Sequence, residues 1–125
     1  MKKIELEDVL VFHRKLIEQT GGSDGIRDLG LIESALNRAF MTYEGKDLYQ
    51  EIEDKISVIT YSLVNNHGFV DGNKRIGVAV MILLFRLNDI KVNYSQKELI
   101  DLGLGIADGF LKENEIKQWI KKHMI

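Results

Sequence analysis

From Ile76 to Phe85 the sequence runs ten residues without a charge, and on a helix those residues are apolar on every side. A surface helix keeps one wet face, so a helix with none must be surrounded by other elements. The stretch therefore predicts a central helix from about Asn73 to Leu87 with the rest of the chain packed around it. It is about half the ~20 residues that a membrane span requires, which makes it a core helix. The other apolar residues follow helical spacing as well. Leu6, Val9, Leu10, His13, Leu16 and Ile17 form one stripe, predicting a first helix from about Glu5 to Gln19 that Gly21-Gly22 stops. Asp28 stands where an N-cap belongs, ahead of a short helix carrying Leu31, Ile32, Ala35 and Leu36. A third helix, from about Asp47 to Asn66, turns Ile52, Ile56, Ile59 and Leu63 inward. Ser95 and Glu98, at capping-box spacing, open another that reaches about Ala107. Gly109 ends that segment, and a last helix runs from about Lys112 to Lys122 around Ile116, Trp119 and Ile120. Residues Met41 to Lys46 are polar and glycine-broken, a surface loop or small hairpin. Nothing offers the region of Val92 a sheet to join. The predicted fold is all-α.

Proline is absent, so glycine does the punctuating, and no linker, repeat or low-complexity tract interrupts the chain. At 125 residues this predicts a single domain spanning 1–125. The lack of cysteine excludes a disulfide framework, thiolate metal sites and a cysteine nucleophile. No basic segment followed by an apolar one opens the chain, so no secretory leader is expected and a cytoplasmic location is predicted. With net charge −2 and pI near 5.9, the sequence lacks the basic footprint of a nucleic-acid binder. No P-loop run and no H-E-x-x-H occurs, and His13, His67 and His123 are too dispersed for a zinc site. Gly103, Gly105 and Gly109 miss dinucleotide spacing and read as close helix contacts and a stop. His13, on an apolar stripe, reads as a satisfied core histidine. Arg27, Asp28 and Glu33 read as a cap and an ion pair holding the first loop.

Chemistry concentrates in His67-Gly68-Phe69-Val70-Asp71-Gly72-Asn73-Lys74-Arg75, which joins two long helices. Its second half becomes the N-terminus of the central helix, where free N–H groups and the positive end of the dipole attract anions. Gly72 lets the backbone come close to a ligand. Lys74 and Arg75 add cations, and an arginine can grip phosphate oxygens with two parallel bonds. Asp71 is placed to hold Mg²⁺ against phosphate oxygens, and His67 to take a proton from an incoming hydroxyl. Taken singly, a histidine at a helix end is usually a cap, Asp-Gly a turn and Lys-Arg a solvated pair. Phe69 reads as an apolar plug on any account. The joint arrangement of base, carboxylate and cradle is what phosphoryl-type transfer requires.

The stretch HGFVDGNKRIG resembles the signature of the Fic/Doc superfamily, specifically its death-on-curing branch, and GGSDGIRDLGLIESALNRAF resembles that branch's N-terminal region. The likeness runs from the first helix through Asn88. It implies that His67 is the catalytic base and that Asp71 serves Mg²⁺ and nucleotide phosphates. It implies that Gly72, Asn73, Lys74 and Arg75 bind the anion, and that Met41 to Lys46 is a flap aligning the target segment. Lys74 replaces a glycine of the adenylylating branch, and Val78 replaces its second arginine. Both departures point to the Doc outcome, in which the γ-phosphate of ATP goes to a threonine of elongation factor Tu. The alternatives are AMP transfer by the same base, and a catalytically silent module that binds nucleotide or a partner. Gly68 stands where many relatives have proline, a change that loosens the loop slightly. The family's inhibitory helix, [ST]-x-x-x-E-[GN], is not found: Glu44-Gly45 is preceded by Phe40 and Glu113-Asn114 by Gly109. The resemblance therefore implies a separate Phd-like antitoxin, a disordered segment that folds as a helix across the groove.

Overall fold

A computed structural model describes all residues, Met1–Ile125. The chain is all-α apart from one small hairpin. Helices α1 (Leu6–Thr20), α2 (Leu29–Asn37), α3 (Ile52–Asn65), α4 (Asn73–Leu87), α5 (Gln96–Ala107) and α6 (Glu113–His123) follow in order, with a 3₁₀ turn at Arg38–Phe40 after α2. The hairpin pairs β1 (Thr42–Tyr43) with β2 (Lys46–Asp47), antiparallel. Its Glu44-Gly45 turn has positive φ at both residues, the mirror-image turn that matches strand twist.

Local chemistry sets most helix boundaries. Gly21 ends α1 with φ 87°. The Asp28 carboxylate accepts from the Leu31 N–H at 3.2 Å and opens α2. Ser95 and Glu98 satisfy each other's backbone N–H groups at 3.1 and 3.0 Å, as their spacing predicts. One boundary differs from expectation. Helix α3 starts at Ile52 rather than near Asp47, because Asp47 is a hairpin residue and Leu48 N–H donates to the Met41 carbonyl at 2.9 Å. Glu51 then caps α3, its N–H donating to Asp54 at 3.2 Å. The Val92 region finds a partner after all: it bridges Met124, with Asn93 N–H on the His123 carbonyl at 2.9 Å.

The core gathers on α3 and α4. Ile56, Val58, Ile59, Ile76, Val80, Met81 and Leu84 are buried, with Val9, Ile32, Ile106, Ile116 and Ile120 supplied by the surrounding helices. Helix α4 is central, but less enclosed than its sequence implies. Val78, Ala79 and Ile82 are only half-buried and floor an open, largely apolar groove of about 400 Å³ with Leu16, Leu99 and Ile100. Helices α1 and α5 both pack on α4 and supply the walls of that groove. No helix is long and apolar enough to cross a membrane.

Candidate active site

His67 follows the end of α3 and adopts φ 52°, a left-handed conformation that costs a non-glycine residue roughly 1–3 kcal/mol and marks a place the surroundings over-determine. Its imidazole is exposed and lines a polar cavity of about 340 Å³ with Val70, Asp71, Gly72, Asn73 and Lys74. Gly72 is the N-cap of α4 at φ 78°, and it contributes no side-chain cap. A Cβ there would press on Ile17 at 3.1 Å and His13 at 3.4 Å. The first N–H groups of α4 lack intrahelical partners and carry the positive end of its dipole, so the cavity presents an anion site. Lys74 is exposed, lines the cavity and forms no ion pair; its stem runs past Gly103 of α5.

The structure brings together all six site residues expected from sequence, and it gives three of them additional work. The Asp71 carboxylate accepts from Ser23 N–H at 3.1 Å and from Gly72 N–H at 2.7 Å, with Arg75 at 3.6 Å. These contacts, the Ser23 N–H foremost and then that of Gly72, hold its pKa below the ordinary carboxylate value. Each oxygen keeps a lone pair, so Asp71 fits one Mg²⁺ that also takes phosphate oxygens and water. Arg75 reaches back to α1: its Nη1 donates to Thr20 Oγ1 at 2.6 Å and to the Gly21 carbonyl at 2.7 Å. Asn73 folds onto the loop itself. Its carbonyl oxygen accepts from Phe69 N–H at 3.1 Å, and its amide donates to the Phe69 carbonyl at 3.0 Å. The side chain of Asn73 thus staples the loop, and its contribution to an anion comes from its backbone N–H.

Underneath, Phe69 is buried and stacks on His13 with ring centroids 3.7 Å apart. His13 is indeed a satisfied core histidine, and its partner is the site: Nε2–H donates to the Asp71 carbonyl at 2.7 Å. Gly68 does not loosen the loop. It is buried against α2, where an added Cβ would collide with Ile32.

Sequence reasoning missed the loop's outer wall. The segment after α1 was a stop and a cap by its pattern, yet Ile26 bridges Phe69 and Val70 N–H donates to the Gly25 carbonyl at 3.1 Å. Gly22 passes so close to the site that a Cβ would lie 2.5 Å from the Asp71 carboxylate and 2.9 Å from Arg75. Arg27 makes no ion pair with Glu33; its guanidinium lies on the carbonyls of Asn66 and His67. Non-local backbone pairing leaves no periodic trace, and the segment's signals were the run of small and polar residues in GGSDG and the family resemblance of the stretch it opens.

Both segments around the cavity fall within residues 3–85, which match the family model described as Fic/DOC family. The chain is 29% identical over 125 residues to "Protein kinase doc" of Escherichia phage P1, covering 98% of this chain and 95% of that protein. It is 36% identical over 72 residues to "Toxin Doc" of Mycolicibacterium smegmatis, covering 58% of this chain and 55% of that protein. The chain belongs to the Fic/Doc family, on its death-on-curing branch.

Proposed function

We propose that this protein is a Doc-type toxin acting in the cytoplasm as one domain over residues 1–125. It transfers the γ-phosphate of ATP to a hydroxyl of another protein, a threonine of elongation factor Tu, and so blocks translation. The observation that carries this reading is that the exposed His67 imidazole and the unpaired Lys74 ammonium share one cavity with the free amides of α4. His67 removes the proton of the incoming hydroxyl. The hydroxyl oxygen forms a bond to the γ-phosphorus, and the bond to the β,γ-bridging oxygen breaks to release ADP. Lys74 and the N-terminal amides of α4 meet the charge on the phosphates. Arg75, tied to α1 and beside Asp71, lines the same cavity and adds its positive charge. Asp71 would hold Mg²⁺, which supplies Lewis-acid neutralisation of the phosphate oxygens.

Two features support phosphate transfer over AMP transfer. Position 78, where the adenylylating branch has its second arginine, carries the apolar Val78, and the phage P1 relative is named a protein kinase. The test is to incubate the protein with Mg-ATP and either purified elongation factor Tu or bacterial lysate, then weigh the modified protein. A phosphate increment is expected. An AMP increment overturns the kinase reading in favour of adenylyl transfer, and an unmodified proteome overturns the transferase reading.

A further inference from the structure

We propose that Arg27 is a positioning residue that sets the direction of the His67 imidazole; the catalytic meaning of this placement rests on the transferase reading above. Nothing holds the ring of His67 directly, so its direction follows from its backbone. That backbone is left-handed, at φ 52°, where helices usually turn on a glycine. Three successive carbonyls around it are claimed by one short stretch of chain. Arg27 Nε–H donates to the His67 carbonyl at 2.6 Å, and Nη2 donates to the Asn66 carbonyl at 3.3 Å. The Gly68 carbonyl takes the backbone N–H groups of Arg27 at 2.8 Å and Asp28 at 2.9 Å.

The first two contacts are the work of a side chain and the last two of the backbone, which separates them experimentally. Substituting Arg27 removes the grip on residues 66 and 67 and leaves the bridge at Gly68 in place. The guanidinium is a rigid planar fork that spans two carbonyls at once; a lysine is a point charge on a flexible stem and cannot reproduce it. Arg27 is exposed, so its removal leaves no cavity in the core. It is also absent from the lining of the 340 Å³ cavity, so it acts through His67 and not on the nucleotide.

The experiment compares wild type, Arg27→Ala, Arg27→Lys and His67→Ala. The carbon–proton correlation of the His67 ring is assigned by its loss in His67→Ala. In both Arg27 variants it should shift toward the position of a free histidine, while the His13 and His123 signals and the melting temperature stay near wild type. Transfer from Mg-ATP to protein in bacterial lysate should fall roughly 10- to 100-fold in kcat, the usual cost of a misplaced group, with KM for ATP unchanged. An unmoved His67 signal in either folded variant overturns the proposal, as does a raised KM for ATP with kcat intact. Should Arg27→Ala unfold, Arg27→Lys alone decides. A wild-type protein that transfers nothing overturns the functional reading, and the ring signal still decides the role of Arg27.

Discussion

His67 occupies a conformation that a histidine keeps only when its neighbours hold it, and every neighbour of the loop has a second duty of that kind. Asn73 fixes Phe69, Phe69 stacks on His13, and His13 holds the carbonyl of Asp71. Substitutions here should therefore separate by which link they cut. His67→Ala should fold normally and lose transfer by about 10²–10⁴, the usual worth of a positioned base. Phe69 is 2% exposed, and Phe69→Ala should instead cost roughly 3–5 kcal/mol of stability, measured by urea unfolding. Asn73→Ala falls between: it strips the Phe69 backbone of two partners, costs about 1–3 kcal/mol and lowers transfer as well. An Asn73→Ala protein of wild-type stability with poor ATP binding would show that the amide serves the anion and not the loop. The residue types of the site were legible because a base, a carboxylate and cations crowd into nine positions. The second duties were not, since each is a contact with a partner four to sixty positions away.

Among the elements, α5 and α6 are joined at their outer ends by one charged contact. His123 Nε2 meets Glu98 at 2.5 Å while its Nδ1 faces the Trp119 carbonyl at 2.7 Å. The same carboxylate caps α5 through Ser95. His123 first, then the Ser95 N–H and hydroxyl, bring the Glu98 pKa down from 4.5 to about 2. The unfolded chain takes up that proton more readily than the fold does, so the contribution is complete above about pH 5 and is lost as pH falls toward 2. The melting temperature of wild type should exceed that of Glu98→Gln near neutrality, and the gap should close on acidification. A gap independent of pH would show that the charge on Glu98 does not supply the stability. The hairpin has its own tether: buried Lys55 of α3 reaches Asp47 at 3.3 Å and also the Tyr49 carbonyl. That tether explains why α3 begins late. Helical periodicity runs straight from Asp47 into α3, and only the cross-chain bonds of the hairpin stop it.

At the scale of the whole molecule, the groove beside α4 opens at one end onto Lys74 and Arg75, so a segment lying along it would reach the phosphate site. We expect the antitoxin to lie there as a helix, its apolar residues on Val78, Ile82 and Ile100. Expression of the chain alone should stop bacterial growth, and His67→Ala at matched levels should not. Ile100, 52% exposed, offers the complementary test. Ile100→Glu should remain toxic yet escape a co-expressed antitoxin, and full neutralisation of that variant would place the antitoxin elsewhere. By itself the sequence determined the helices, the caps of α2 and α5, the central place of α4 and the loop in which the candidate site residues crowd. All of these depend on interactions within a few residues or on one stripe of apolar side chains. Tertiary structure alone decided that α4 keeps an open flank, that α3 yields its first turn to the hairpin, and that residues 22–28 brace the loop that carries the site. Those outcomes depend on how segments pack and on which backbone groups pair, from Leu48 on Met41 in the hairpin to Arg27 on Gly68 some forty residues away, and no apolar periodicity along the chain announces them.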